Sequence, residues 1–212
     1  MRTGFFEETD VEAVRAQLPE DLRPVLLFGF YTGWRKGEIR GLTWANVDFA
    51  AGVVRLEPGT TKNDEGREFP FAVLPPLRSL LEQQRERVRT VEHQTGQIIP
   101  HVFCRTGGKG FRPGEPIRQF AVAWRSACSR AALDNKGVIV RPHLIGRLFH
   151  DLRRTAVRNL ERAGVSRSVA MKLTGHKTES VYRRYAIVAG QDLREGVEKL
   201  ARMHARGQAP RP

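Results

Sequence analysis

Three short segments hold the residues whose types and spacing could do chemistry: TGWRKGEIR at residues 32–40, HDLRR at 150–154 and TGHKTESVYRRY at 174–185. Between them stand Arg35, His150, Arg153, His176 and Tyr185. This set suits attack on a phosphodiester without a metal. A tyrosine oxygen can add to phosphorus only if the charge growing on the non-bridging oxygens is neutralised. Arginine does this with a planar fork that bonds two oxygens at once and keeps its proton. A free phenol has a pKa near ~10, so a positive field and a nearby base such as His150 must favour its ionised form. Metal-dependent cleavage would instead require clustered carboxylates to hold the ions. The sequence gathers no such cluster on any expected helix or strand end.

The elements that must position these groups follow from periodicity. Residues 9–17 read as a capped helix, and the nearly all-apolar run at 22–31 belongs in the core. Thr32-Gly33 breaks that run, and Arg35 to Leu42 can form a short helix on which Arg35 and Glu38 share a face. Glu38 is then a partner that holds Arg35 rather than an acid in its own right. Residues 53–56 (VVRL) and 68–73 (EFPFAV) read as two strands. The polar, turn-rich stretch between them places Lys62 on or near a hairpin tip. Residues 75–88 form a helix with Leu77, Leu80 and Leu81 inward, 93–117 are mostly loop, and 120–133 form a second amphipathic helix.

Toward the C-terminus the pattern sharpens. Phe149, Leu152, Ala156, Leu160 and Ala163 line one stripe of a helix that stops at Gly164. On its edge His150 and Arg153 should point out of the core together. Ser166 caps a helix ending at Gly175, directly before His176. Ser180 caps a short turn carrying Val181, Tyr182 and Tyr185, and Asp192 starts a final helix. The tail at 204–212 reads as disordered. The expected fold class is α+β, mainly α: one helical domain over residues 1–203 with a small antiparallel sheet.

In this order the motifs resemble those of the tyrosine recombinases, the phage-integrase family. TGxRxxE is matched by Thr32, Gly33, Arg35 and Glu38, the hairpin lysine by Lys62, HxxR by His150 and Arg153, and GH by Gly175 and His176. Tyr185 stands nine residues after His176, the spacing of the family's nucleophile. Tyr182 is the rival nucleophile, one turn earlier, and reads as a packing residue. Taken alone, each piece is ordinary: HxxR arises by chance in an arginine-rich chain, and Lys62 by itself is a turn lysine. His143 in RPH lacks an arginine three residues on and reads as a loop residue. The resemblance implies the helical catalytic domain of these recombinases, its sheet carrying the lysine hairpin. It further implies strand cleavage and rejoining through a 3′-phosphotyrosine, with no cofactor, metal or ATP. Arg35, Lys62, His150, Arg153, His176 and Tyr185 would form the catalytic set. Double-stranded DNA is the implied partner, with a homotetramer assembling on it and accessory DNA-bending or directionality factors.

Composition is consistent with a polyanionic partner. The 212 residues carry 36 Lys plus Arg against 23 Asp plus Glu, a formal charge of +13. At 40% hydrophobic the chain can bury a core. Cys104 and Cys128 have no framework spacing and read as small buried residues of a protein kept in a reducing compartment, here taken as the cytoplasm. No apolar run approaches a membrane span. The family normally carries an N-terminal core-binding domain, and with the motifs starting so near Met1 the expectation is that this chain lacks it. Two other readings remain: a type IB topoisomerase, and a recombination-incompetent DNA-binding remnant of a mobile-element integrase.

Overall fold

The structure, a computed structural model, describes residues 4–59, 66–107 and 110–183, together with positions 197, 198 and 201. Eight α-helices, four 3₁₀ turns and three short strands are found among them. The first helix, α1 (Glu8–Gln17), opens with the Glu7 amide donating to the Asp10 carboxylate at 3.0 Å. It packs on α5 (Ala121–Ala131). The central helix α2 (Arg23–Thr32) starts with a proline in its first turn and ends at Gly33, whose φ of 65° is the left-handed cap that glycine tolerates. Val25, Leu26 and Phe28 are fully buried, so this helix is the heart of the core.

Helix α6 (Asp151–Arg162) crosses α2 at close range, and two glycines one turn apart make the approach possible. A Cβ on Gly29 would meet the Phe149 ring at 2.9 Å, and one on Gly33 would meet the Ala156 Cβ at 2.8 Å. The expected stripe of α6 is therefore the contact face at Phe149, Leu152 and Ala156, whereas Ala163 is exposed. The chain start is pinned to the same helix: the Phe6 amide donates to Thr155 Oγ1 at 2.9 Å, and Arg158 reaches the Phe6 carbonyl and the Glu7 carboxylate.

The sheet is a three-stranded antiparallel meander, β1 (Val47–Asp48), β2 (Val53–Leu56) and β3 (Arg67–Phe69), with Val54 opposite both Val47 and Phe69. The hairpin read from the sequence is β2–β3, and β1 is an additional edge strand that two residues of pattern could not reveal. The second strand is shorter than expected. It stops at Pro70, which has no N–H for a ladder, and Phe71–Val73 turn into a 3₁₀ segment. Helix α4 runs Pro75–Thr95, seven residues past the expected end at 88, until Gly96 caps it with φ 66°. Its C-terminal half buries Val88 and Val91 against Ile99 and Cys104.

Helix α7 (Arg167–Thr174) begins after Ser166, whose hydroxyl lies beside Ser168 rather than capping the helix. The five-residue α8 (Glu179–Arg183) is capped by Thr178, not Ser180: Thr178 Oγ1 accepts from the Val181 amide. His143 is more than a loop residue, since its Nε2 lies 2.9 Å from the buried Asp10 carboxylate and ties the Pro142–Leu144 turn to α1. Cys104 and Cys128 are both buried, and burial raises their thiol pKa values to about 11 and about 12. Among the described residues no helix is long and apolar enough to cross a membrane. The helix expected from Asp192 lies outside the described residues, apart from three helical positions at 197, 198 and 201.

Candidate active site

Arg35 is the N-cap residue of α3 (Lys36–Gly41), with extended backbone as it enters the helix. One turn on, Glu38 accepts from the Arg35 amide at 2.7 Å and from its Nη1 at 2.9 Å, so a single carboxylate fixes both backbone and guanidinium. Trp34, just before, is 2% exposed and donates from its indole to the Leu173 carbonyl at 3.0 Å. This bond joins the start of α3 to the end of α7, though the residues are 139 apart in sequence.

Arg153 comes from α6. It is only 2% exposed, which corrects the expectation that it points out of the core with His150. The guanidinium is instead sunk into a nest of carbonyl oxygens. Nη1 donates to Gly33 O at 2.8 Å and, very closely, to Thr174 O, and Nη2 donates to Gly175 O at 3.1 Å. The left-handed ends of α2 and α7 turn these carbonyls toward it. Hydrogen bonds of this kind are what make a buried arginine tolerable. His150, one residue before α6, keeps exposed surface. Partial desolvation, followed by the charge of Arg153, lowers its pKa from the ordinary histidine value.

The protonation of His176 can be read from its partners. Thr174 Oγ1 donates its one proton to Ala170 O at 2.7 Å, so it must accept from His176 Nδ1, also at 2.7 Å. Arg153 Nε donates to His176 Nε2 at 3.2 Å, which requires a lone pair there. Both bonds select the neutral Nδ1–H tautomer. Desolvation, then Arg153, Arg35 and Arg67, push the His176 pKa down to about 3.

The two expected arginines meet on one oxygen: Nη2 of Arg35 and Nη2 of Arg153 both lie within hydrogen-bond reach of Gly175 O, at 3.4 and 3.1 Å. Arg35, Arg153 and His176 are thus brought together, with His150 beside them on the Arg153 helix. Lys62 and Tyr185 lie outside the described residues. Tyr182 is fully buried, its ring edge-on to His176 at 5.3 Å between centroids. Among the described residues its hydroxyl has no hydrogen-bond partner at normal distance, the Glu161 carboxylate being its nearby acceptor, and burial, then the charge and hydrogen bonding of Glu161, raises its pKa.

Three neighbours of the site were not singled out from sequence: Trp34, Thr174 and Arg67. Arg67 bonds the Glu38 carboxylate through Nη2 and stacks over Trp34 with its Cζ 4.8 Å from the ring centroid. A signal for it existed. In a strand, residues 67 and 69 face the same way, and Phe69 belongs to the core, so Arg67 is a charge placed on the buried face.

The chain belongs to the phage integrase family, whose model matches residues 6–191. Among curated relatives, the integrase of Salmonella phage P22 is 24% identical over 200 residues, covering 94% of this chain and 47% of the relative. A tyrosine recombinase of Thermosipho africanus is 25% identical over 171 residues, covering 81% of this chain and 51% of the relative. The chain therefore spans about half the length of these relatives. Its fold is that of XerA recombinase, with TM-score 0.66 and 15% identity over all of this chain and 68% of that one. A lambda integrase dimer bound to a core site aligns with TM-score 0.61 and 19% identity, over 84% of this chain and 45% of that one.

Proposed function

We propose that this integrase-family chain cleaves and rejoins DNA strands through a covalent 3′-phosphotyrosine, without metal or ATP. The observation that carries the reading is the convergence of Arg35 and Arg153 on Gly175 O from helices at opposite ends of the sequence. Two guanidinium groups that can share one carbonyl oxygen can equally share the non-bridging oxygens of one phosphate, where charge develops in phosphoryl transfer. Tyr185 Oη attacks phosphorus and gives its proton to His150, which its lowered pKa leaves neutral and able to accept at pH 7. The P–O5′ bond breaks, and Lys62 protonates the departing 5′-oxygen. A 5′-hydroxyl of a second strand reverses these steps and releases the tyrosine. His176 joins as a donor when its proton sits on Nε2. That tautomer requires the Thr174 hydroxyl to rotate from Ala170 O to Nδ1 and the Arg153 Nε–H, which donates to Nε2 in the free protein, to turn to a phosphate oxygen.

Double-stranded DNA is the partner that the net charge of +13 favours, and lambda integrase has been seen as a dimer on a core site and as a tetramer on a Holliday junction. Assembly of four copies on DNA belongs to the same proposal. The test is adduct formation on a nicked duplex whose cleavage releases a short, diffusible 5′-hydroxyl strand, run in excess chelator. The parent should form a protein–DNA adduct, and Arg35→Ala and Arg153→Ala should each slow it by ~10²–10³. Adduct formation that demands a divalent cation would refute the mechanism.

A further inference from the structure

We infer that Arg67 is a third arginine of the phosphate pocket, contacting the scissile phosphodiester itself. The inference rests on the reading above and adds a residue to it. Arg67 is 7% exposed in its side chain, yet Glu38 takes only its Nη2. Among the described residues its buried Nε has no acceptor, and none accepts from Nη1. A buried guanidinium usually bonds through most of its five N–H groups, because each one stripped of water and left unpaired is costly. Desolvation is accordingly the largest influence on Arg67 and lowers its pKa. A structural clamp for Glu38 would not require this, since Arg35 already holds that carboxylate.

The unused Nη1 faces the site. A Cβ built on Gly175 would lie 1.8 Å from Arg67 Nη1. Gly175 is the residue whose carbonyl takes Arg35 and Arg153, so three guanidinium groups surround it. Beside them Arg67, His176, Lys172 and Lys177 line a cavity of about 590 Å³ between β3 and α7. A dianionic pentavalent phosphorane would supply acceptors for the idle N–H groups at the moment its charge is greatest. The ion pair with Glu38 and the Trp34 ring hold Arg67 in place beforehand.

A substrate with a neutral methylphosphonate at the cleavage position tests contact directly, because it removes the charge that a contacting cation serves. On ordinary phosphate, Arg67→Met, which keeps the length of the stem, should slow adduct formation by ~10²–10³ with DNA affinity changed only a few-fold. On methylphosphonate the variant-to-parent rate ratio should rise at least tenfold. Arg67→Lys should fall between the two on phosphate and show the same rise, so the comparison stands even if the Met variant does not fold. Equal losses on both substrates, or no loss at all, would overturn the role and leave Arg67 a structural residue. The parent separates this from the underlying mechanism: no parent adduct on phosphate refutes the proposed function, whereas a parent adduct without the differential refutes only Arg67.

Discussion

Lowering the pH should weaken this fold through His176 in particular, by an amount the structure sets. The folded imidazole has a pKa of about 3 against an ordinary value of 6.5. Below pH 6.5 the unfolded chain takes up a proton that the folded chain refuses, so the contribution is complete above 6.5 and is lost progressively as pH falls toward 3. Across that window each pH unit is worth about 1.4 kcal/mol. Moving from pH 6.5 to 5 should therefore cost about 2 kcal/mol, a sizeable part of the ~5–15 kcal/mol typical of a domain. Carboxylates and His150 titrate too, so the quantity to measure is the difference between parent and His176→Gln. Urea unfolding at pH 7 and pH 5 should show the parent losing about 2 kcal/mol more than the variant. Any fixed packing cost of the substitution cancels in that double difference. An equal loss in the two proteins, or a larger one in the variant, would mean that His176 is not buried neutral between Thr174 and Arg153. Imidazole nitrogen shifts of the free protein should independently report the Nδ1–H tautomer at pH 5.

Other substitutions probe the packing around the site. Tyr182→Phe removes a buried hydroxyl that has no partner at normal distance among the described residues, with only the Glu161 carboxylate nearby, so chemical denaturation should find it destabilised by no more than about 1 kcal/mol, and it should retain adduct formation. Gly175→Ala places a side chain at φ 70° and against the Arg67 guanidinium. A loss of at least about 1–2 kcal/mol in the same assay is expected from the backbone conformation alone, with a further loss of cleavage as the arginines shift.

Much of the framework was legible because each motif sits at an element boundary with a strong local signal. Gly33 and Gly175 mark helix ends that only a left-handed residue closes, and the arginine one turn before Glu38 announces its own partner. The apolar stripe through Phe149, Leu152 and Ala156 fixed which face of α6 meets α2. What the sequence could not show depended on contacts between distant segments. Arg153 looked outward because its position flanks the apolar stripe, but the carbonyls that bury it come from residues 33, 174 and 175. Thr174 is one hydroxyl among many until Ala170 O and His176 Nδ1 are both 2.7 Å away. The short β1 and the early end of β3 turn on Pro70 and on pairing partners rather than on alternation. Helix α4 outran its expected end because Val88 and Val91 find Ile99 and Cys104 beneath them.

The most direct test of the central claim is to identify the amino acid that carries the DNA. The parent protein is trapped on a nicked duplex in chelator, digested, and the nucleotide-bearing peptide is sequenced by mass spectrometry. A single modified residue is expected, Tyr185, bearing the 3′-phosphate of the cleaved strand, with a free 5′-hydroxyl on the released fragment and no adduct from Tyr185→Phe. A modification on Tyr182 or any other residue, a 5′-phosphate on the protein, or an adduct that persists in Tyr185→Phe would contradict it.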